Sequence, residues 1–457
     1  MLNRCFDIAS RGSSVRREVL GGVTTFVTMA YIIVVNPAIL SAAGIPVGPS
    51  TSATILAAAF GSLLMGLYAN RPIAVAPYMG ENAFIAFGLV ALGATWQQRL
   101  GSVFVAGIVF LLLTVFQVRS KLANAISPNL KHSFAAGIGL FLAFIGLYET
   151  GIVTSGAAGL PAAALIPAGQ ALLRAPDVPL KIGAFRDPQV LLAIAGFVLI
   201  AGLMMRRLPG AILVGMAAIA TAGYAMGFAS APASVAAMPF TGEYSLAPIA
   251  LHLDIPGVLR LSFLPVLLTL VLMSFLDTLG TLVGVGAAGN MLDEHGNFPQ
   301  VEKPMLVDAL ACVFASLVGT STSGAYIESA TGIREGARTG LASIVTGALF
   351  LAALFFLPLV GPLQQSRYAY GPALVAVGML MVGSVRKIDF DDLTEALPAF
   401  ACIVLMVFTY NIANGLTAGL VLYPVAKIVA GRARDLNWGS VVLAVLCLAY
   451  YLFGLPH

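Results

Sequence analysis

The chain is 457 residues long, 59% hydrophobic and 10% charged, where a soluble domain carries roughly a quarter charged residues. Its net charge of +4 is scattered over the ends of apolar runs, without the basic face that nucleic acid requires. Composition therefore excludes a water-soluble enzyme and a nucleic-acid binder, and leaves a polytopic membrane protein.

A hydrocarbon core about 30 Å thick needs roughly 20 apolar residues per helix. Residues 1–18 are polar and basic, and the run beginning at Val19 is too long for a signal-peptide core and lacks a cleavage pattern. This segment is expected to be retained as a cytoplasmic N-terminus. Spans are predicted at about 19–42, 50–70, 73–91, 100–118, 131–148, 189–206 and 209–229. A second set follows at about 262–285, 304–319, 322–336, 339–360, 369–385, 396–410 and 413–430, with a further apolar run at 438–454. Of the 24 Lys and Arg residues, this scheme puts 18 on the side of the N-terminus and leaves six, Arg99, Arg174, Lys181, Arg186, Arg260 and Arg367, on the other. The positive-inside rule makes the richer side cytoplasmic.

The halves share a layout. About 243 residues separate the runs starting at Val19 and Ser262, and about 246 separate Asn82 from Glu328. With seven spans per half the second copy must be inverted, as in many secondary carriers.

The third run, PIAVAPYMGENAFIAFGLV, carries Pro72, Pro77, Gly80, Glu81 and Asn82 where it should cross lipid. Its counterpart, STSGAYIESATGIREGAR, carries Gly324, Glu328 and Gly332. Proline removes a donor and glycine weakens a helix, so the freed backbone groups need protein or a polar cavity. Matched breaks of this kind are the sequence pointer to a carrier's binding site; the plainer reading is a packed kink. Acids in hydrocarbon cost at least about 2.5–3.5 kcal/mol, so Glu81, Glu328 and Asp277 are expected to share an interior polar site. Burial disfavours the charged form of a carboxylate, which suits a proton carrier.

Other motifs are weaker. GVGAAG at 284–289 ends an apolar helix without a βαβ unit. His132, His252, His295 and His457 fall in loops or at span ends, and Cys5, Cys312, Cys402 and Cys447 are isolated. No metal, cofactor, hydrolase motif or nucleotide-driven pump is expected, so energy must come from an ion gradient.

GGVTTFVTMAYIIVVNPAIL, APYMGENAFIAF, SFLDTLGTLVGV and GTSTSGAYIESATGIREGARTGLASIVTG, in that order, resemble the AzgA-like branch of the nucleobase:cation symporter-2 (xanthine/uracil permease) family. The likeness runs from about Phe6 to Gly431. It implies an all-α protein of about 14 transmembrane segments in two inverted seven-span repeats, with short strands in the broken spans 3 and 10. A core domain would comprise 19–120 (spans 1–4) and 262–360 (spans 8–11). A gate domain would comprise 131–229 (spans 5–7) and 369–457 (spans 12–14 and the last apolar segment).

The resemblance also implies an elevator-like symporter of the cell membrane carrying adenine, guanine or hypoxanthine with H+ or Na+, and paired as a homodimer through the gate. Family binding residues map onto Asn82, Asp277 and Glu328, with Tyr78, Gly80, Glu81, Thr278 and Ile327 beside them and Asp277 or Glu328 carrying the proton. Tyr78 and Glu81 stand where the family pattern has glycine and an apolar residue, which bears on the substrate. A same-fold carrier of a pyrimidine, xanthine or an anion is the alternative; central carboxylates without a basic residue disfavour an anion.

Overall fold

The computed structural model describes residues 6–89, 92–116, 126–158, 180–232, 234–289, 291 and 298–453. Cys5, His295, His457, and Arg4, Arg119, Lys121 and Arg174 of the charge count lie outside them.

The first half contains α1 (Val15–Met29), α2 (Ile32–Ser41), α3 (Val47–Leu64), β1 (Val75–Pro77), α4 (Met79–Ala83), α5 (Trp96–Val115), α6 (Pro128–Glu149), β2 (Val153–Ser155), β3 (Leu180–Ile182), α7 (Pro188–Met205) and α8 (Ala211–Ala225). The second contains α9 (Leu264–Ala288), α10 (Glu302–Val318), β4 (Ser323–Ala325), α11 (Ser329–Arg334), α12 (Gly340–Ala353), α13 (Gly361–Gln365), α14 (Arg367–Val382), α15 (Leu393–Phe408), α16 (Ile412–Val429) and α17 (Trp438–Phe453). Among the described residues nine helices are long and apolar enough to cross a membrane, with shorter apolar ones at 211–225, 393–408 and 438–448.

Polar residues punctuate these helices. Ser127 caps α6 through Leu130 N–H, with Pro128 in the first turn, and Thr95 forms a reciprocal capping box with Gln98 at α5. The first predicted span is not one uninterrupted helix. Between α1 and α2 the chain tightens, with Val34 N–H bonding Tyr31 O, a 3₁₀-type turn. Pro37 then lacks the N–H that would bond Ile33 O four residues back; the Gln364 amide donates to that carbonyl at 2.9 Å.

Two sets of helices result. In the first, α12 packs on α1 and α3, α10 on α3 and α5, and α9 on α5. In the second, α14 packs on α6 and α7, and α15 on α6 and α16. The sets meet where α4 touches α6, α9 touches α16 and α2 touches α14.

A candidate substrate site at a strand crossing inside the membrane

The third and tenth predicted spans are each a three-residue strand followed by a short helix. β1 pairs antiparallel with β4, Ala76 opposite Gly324, and the ladder extends through Tyr78 N–H to Thr322 O and Tyr326 N–H to Ala74 O, both 2.9 Å. Strand edges cannot stay bare in hydrocarbon. The Ser62 hydroxyl therefore bonds both Val75 N–H and Val75 O at 3.0 and 3.1 Å. Ser329 Oγ accepts from Ala74 N–H at 3.0 Å, and Asp308 Oδ2 accepts from Ala325 N–H at 2.9 Å. Gly324 is required here, because a Cβ would stand 2.3 Å from the Tyr78 hydroxyl.

The predicted residues divide by position. Tyr78 lies against Gly324, its hydroxyl 3.1 Å from Thr278 Oγ1 on α9, and its ring runs nearly parallel to that of Tyr326 at 6.3 Å. Gly80 faces Ile138 of α6, where a Cβ would meet Ile138 Cγ2 at 2.5 Å. Glu81 is fully buried and accepts from Ser274 Oγ on α9 at 2.9 Å, and the Thr322 hydroxyl stands beside its carboxylate. Asn82 is also fully buried; its amide donates to Asn36 O at 3.2 Å and its Oδ1 has no partner among the described residues. Asp277 is half-buried one turn from Ser274 and makes no hydrogen bond to a described residue. Glu328 is half-buried at the start of α11 and accepts from Tyr31 Oη at 2.7 Å. Ile327 is exposed, and its side chain reaches Gly284 of α9. Glu81 and Asp277 lie within electrostatic range of each other and both face Tyr326, as does Glu328.

Sequence reasoning missed four participants. Asp308, fully buried on α10, lies in electrostatic range of Glu81 with the Thr278 hydroxyl beside its carboxylate; its signal was a carboxylate in the middle of an apolar run. Asn36 donates to Thr54 and Thr320 hydroxyls at 2.8 and 2.9 Å and accepts from Ser321 at 3.3 Å. Tyr31 and Ser274 hold Glu328 and Glu81. None of these three breaks the apolar pattern.

Arg99 is buried apart from the acids. It donates to Ala94, Ile85 and Ala86 carbonyls at 3.0, 2.8 and 2.6 Å, filling acceptors loosened by the π-helical segment Phe84–Gly88 that follows α4. A separate cavity of about 940 Å³, lined by Val47, Gln189, Tyr244, Gln364, Arg367 and Tyr368, lies away from the acids. Among the described residues no group of three or more His, Cys, Asp or Glu is placed to hold a metal.

Comparison with known proteins agrees with this architecture. Residues 16–417 match the xanthine/uracil permease model, described as "Permease family". A permease of Methanocaldococcus jannaschii is 41% identical over 99% of this chain and 98% of its own length. The adenine permease AdeP of Escherichia coli is 38% identical, covering 100% and 97% of the two chains. The guanine/hypoxanthine permease PbuG of Bacillus subtilis is 37% identical, covering 98% and 99%. Among solved structures, the transmembrane domain of the cyanobacterial bicarbonate transporter BicA aligns at TM-score 0.60 and 17% identity, over 88% of this chain and 97% of that one. SLC26A9 aligns at 0.64 and 10%, over 91% and 66%. At those identities the likeness is one of fold. The chain belongs to the xanthine/uracil permease family and is a multi-pass membrane permease, not an enzyme.

Proposed function

We propose that the protein is a secondary transporter that carries a purine nucleobase together with a proton. The observation that supports this reading is the strand crossing itself, with Glu81 in electrostatic range of Asp277 and Asp308, and Tyr326 in range of Glu81, Asp277 and Glu328. Relatives named for adenine and for guanine/hypoxanthine, aligned over nearly the full chain, favour a purine. A purine edge alternates ring N–H donors with lone-pair acceptors. The half-buried carboxylates of Asp277 and Glu328 accept its donors, and Asn82 Oδ1, which has no partner among the described residues, offers a further acceptor.

Asp277 or Glu328 is the proton carrier. Asp277 makes no hydrogen bond to a described residue and Glu328 is steadied by Tyr31, so either can exchange a proton as the base binds. The first helix set acts as the core and the second as the gate, the core sliding past the gate in an elevator-like step, with the N-terminus in the cytoplasm of the cell membrane. Homodimers pair through the gate.

Proteoliposomes given an inward proton gradient should accumulate labelled adenine, guanine or hypoxanthine. Glu328→Gln should abolish that gradient-driven uptake while the protein stays inserted. Uptake indifferent to the pH gradient, or intact in Glu328→Gln, would overturn the coupling; no purine uptake under any gradient would overturn the substrate.

A further inference from the structure

At the end of the first helix set that holds the N-terminus, four arginines gather where the segment ahead of α1 crosses the end of α3. Arg11 donates to Asn70 O at 3.0 Å and Arg71 to Pro299 O at 2.8 Å, with the Arg71 guanidinium 5.0 Å from the centre of the Phe298 ring. The two guanidiniums are close enough to repel each other. Asn70 Oδ1 accepts from Gly340 N–H at 2.7 Å, which brings the start of α12 to the same place. There Arg338 donates to the Ile333 and Ala337 carbonyls, both at 2.7 Å. Arg17 lies against Gly336, whose carbonyl the Ser13 hydroxyl reaches at 2.8 Å.

None of these four arginines is in an ion pair among the described residues. The ion pairs there lie in the second set, where Asp392, Glu395 and Asp435 answer Lys427 and Arg432, and Glu149 answers Arg367. Glu18, the buried acid at this end of α1, gives its two oxygens to the N–H groups of Arg338 and Thr339. Arg11 and Arg338 bond carbonyls at helix ends, which orients their guanidiniums without cancelling charge. Like charges held together in this way favour an anion, and forked guanidinium donors match phosphate oxygens. The surroundings decide what kind of phosphate fits. Leu67 and Tyr68, in the π-helical segment Met65–Ala69 just ahead of Arg71, and Val19 and Leu20 on α1 are exposed, so apolar surface runs from the arginines into the span. A free phosphate has no use for that surface, whereas acyl chains do.

We propose that Arg11 and Arg71, with Arg17 and Arg338 beside them, bind the headgroup phosphate of an anionic phospholipid whose acyl chains lie along Leu67 and Tyr68. Basic pockets at helix ends recognise such headgroups. A zwitterionic lipid fits less well, because its ammonium group would face the same arginines. The bound lipid fastens the N-terminal segment to the end of α3 and the start of α12. The site is separate from the strand crossing and does not depend on what the crossing carries.

Lipid binding can be read without any transported substrate. Purified full-length protein, stripped of co-purified lipid, is heated in mixed micelles enriched stepwise in dioleoyl phosphatidylglycerol, or in dioleoyl phosphatidylcholine as the zwitterionic control. The unfolding midpoint should rise saturably with phosphatidylglycerol and not with phosphatidylcholine. Arg11→Gln/Arg71→Gln should raise the half-saturating lipid fraction at least tenfold. Arg206→Gln/Arg207→Gln, which removes two exposed arginines between α7 and α8, should respond as the unmodified protein does. Equal stabilisation by the two lipids, an unchanged response in Arg11→Gln/Arg71→Gln, or the same loss in Arg206→Gln/Arg207→Gln overturns the site. Full stabilisation by inorganic phosphate or glycerol phosphate alone overturns the lipid as its occupant. Should Arg11→Gln/Arg71→Gln fail to fold, Arg11→Gln, which lies ahead of α1, is titrated in its place and decides.

Discussion

Asn36 shows how a single amide can hold a membrane site together. Its side chain joins α2 to α3 through Thr54 and to the start of the tenth predicted span through Thr320 and Ser321, while its own carbonyl receives Asn82. Each buried polar group left without a partner costs about 1–3 kcal/mol. Asn36→Ala is therefore expected to lower the thermal midpoint of the purified protein by removing the side-chain links to Thr54, Thr320 and Ser321, while the main-chain carbonyl that receives Asn82 stays in place. A midpoint equal to that of the unmodified protein would show that the hub is dispensable. Tyr31 acts on a second site residue. Its hydroxyl meets Glu328 at 2.7 Å, and hydrogen bonds to charged groups are worth about 1.5–3 kcal/mol. Tyr31→Phe should raise the KM for purine uptake by roughly tenfold if Glu328 contacts the base, measured in the same vesicles. An unchanged KM would move Glu328 out of direct contact.

Helix pairs carry the next level of organisation. α6 and α14 run antiparallel with Gly139 against Gly378 and Gly146 against Gly371; a Cβ on Gly378 would stand 2.4 Å from Gly139 O and 2.7 Å from Ala143 N. Small residues let backbones approach this closely, and in lipid such packing replaces the hydrophobic drive between helices. Gly378→Ala should destabilise the protein by about 1–3 kcal/mol through overpacking. Gly202→Ala on α7, where a Cβ meets nothing within 4 Å, should be neutral or slightly stabilising in the same denaturation assay.

At the basic end of these helices a charge network ties the same set. Lys427, nearly fully buried, bonds Glu395 at 2.8 Å and Thr394 at 2.7 Å, and Ser127 reaches the other Glu395 oxygen at 2.9 Å. The Thr394 hydroxyl and the Arg432 guanidinium hold the Asp392 carboxyl well below the usual carboxylate range. A group lowered on folding stabilises above its unfolded pKa, about 3.9 for aspartate, and that contribution fades as pH falls through the folded value. Asp392→Asn should thus lower the thermal midpoint by a constant amount from pH 7 to pH 5, with the gap closing only below about pH 4. A gap that closes near pH 6 would assign the effect to another group.

At the scale of the whole molecule, legibility in the sequence tracked how local each feature was. Pro77, Gly80 and Gly324 break an apolar run within a few residues, so the two interrupted segments, their strands and the acids beside them could be read directly or through the family likeness. Asp308 was lost because a single acid in the run at 304–319 leaves that run a plausible span, and its partner Ala325 N–H exists only once β4 is paired. Asn36 and Tyr31 take partners 284 and 297 residues away, distances that no local pattern encodes. The Ala30–Tyr31 turn has no local signal either, since it contains neither glycine nor proline.

The proposed sliding of one helix set past the other has a direct test at their boundary. There Phe87, in the π-helical segment after α4, meets Tyr410, between α15 and α16, edge to face at 5.5 Å. Phe60 and Phe314 stack at 4.1 Å between α3 and α10, both within the first set. If the sets move as bodies, a tether across the first pair must stop transport and a tether across the second must not. With the native cysteines replaced, Phe87→Cys/Tyr410→Cys should lose purine uptake on treatment with a short membrane-permeant bifunctional thiol reagent. A monofunctional analogue of that reagent should leave uptake intact in the same pair, which separates tethering from mere modification. Phe60→Cys/Phe314→Cys should transport equally with and without the tether. Full uptake through a verified Phe87–Tyr410 cross-link would mean that the two sets hold their relative position during transport, and the alternation would then have to arise within the crossing itself.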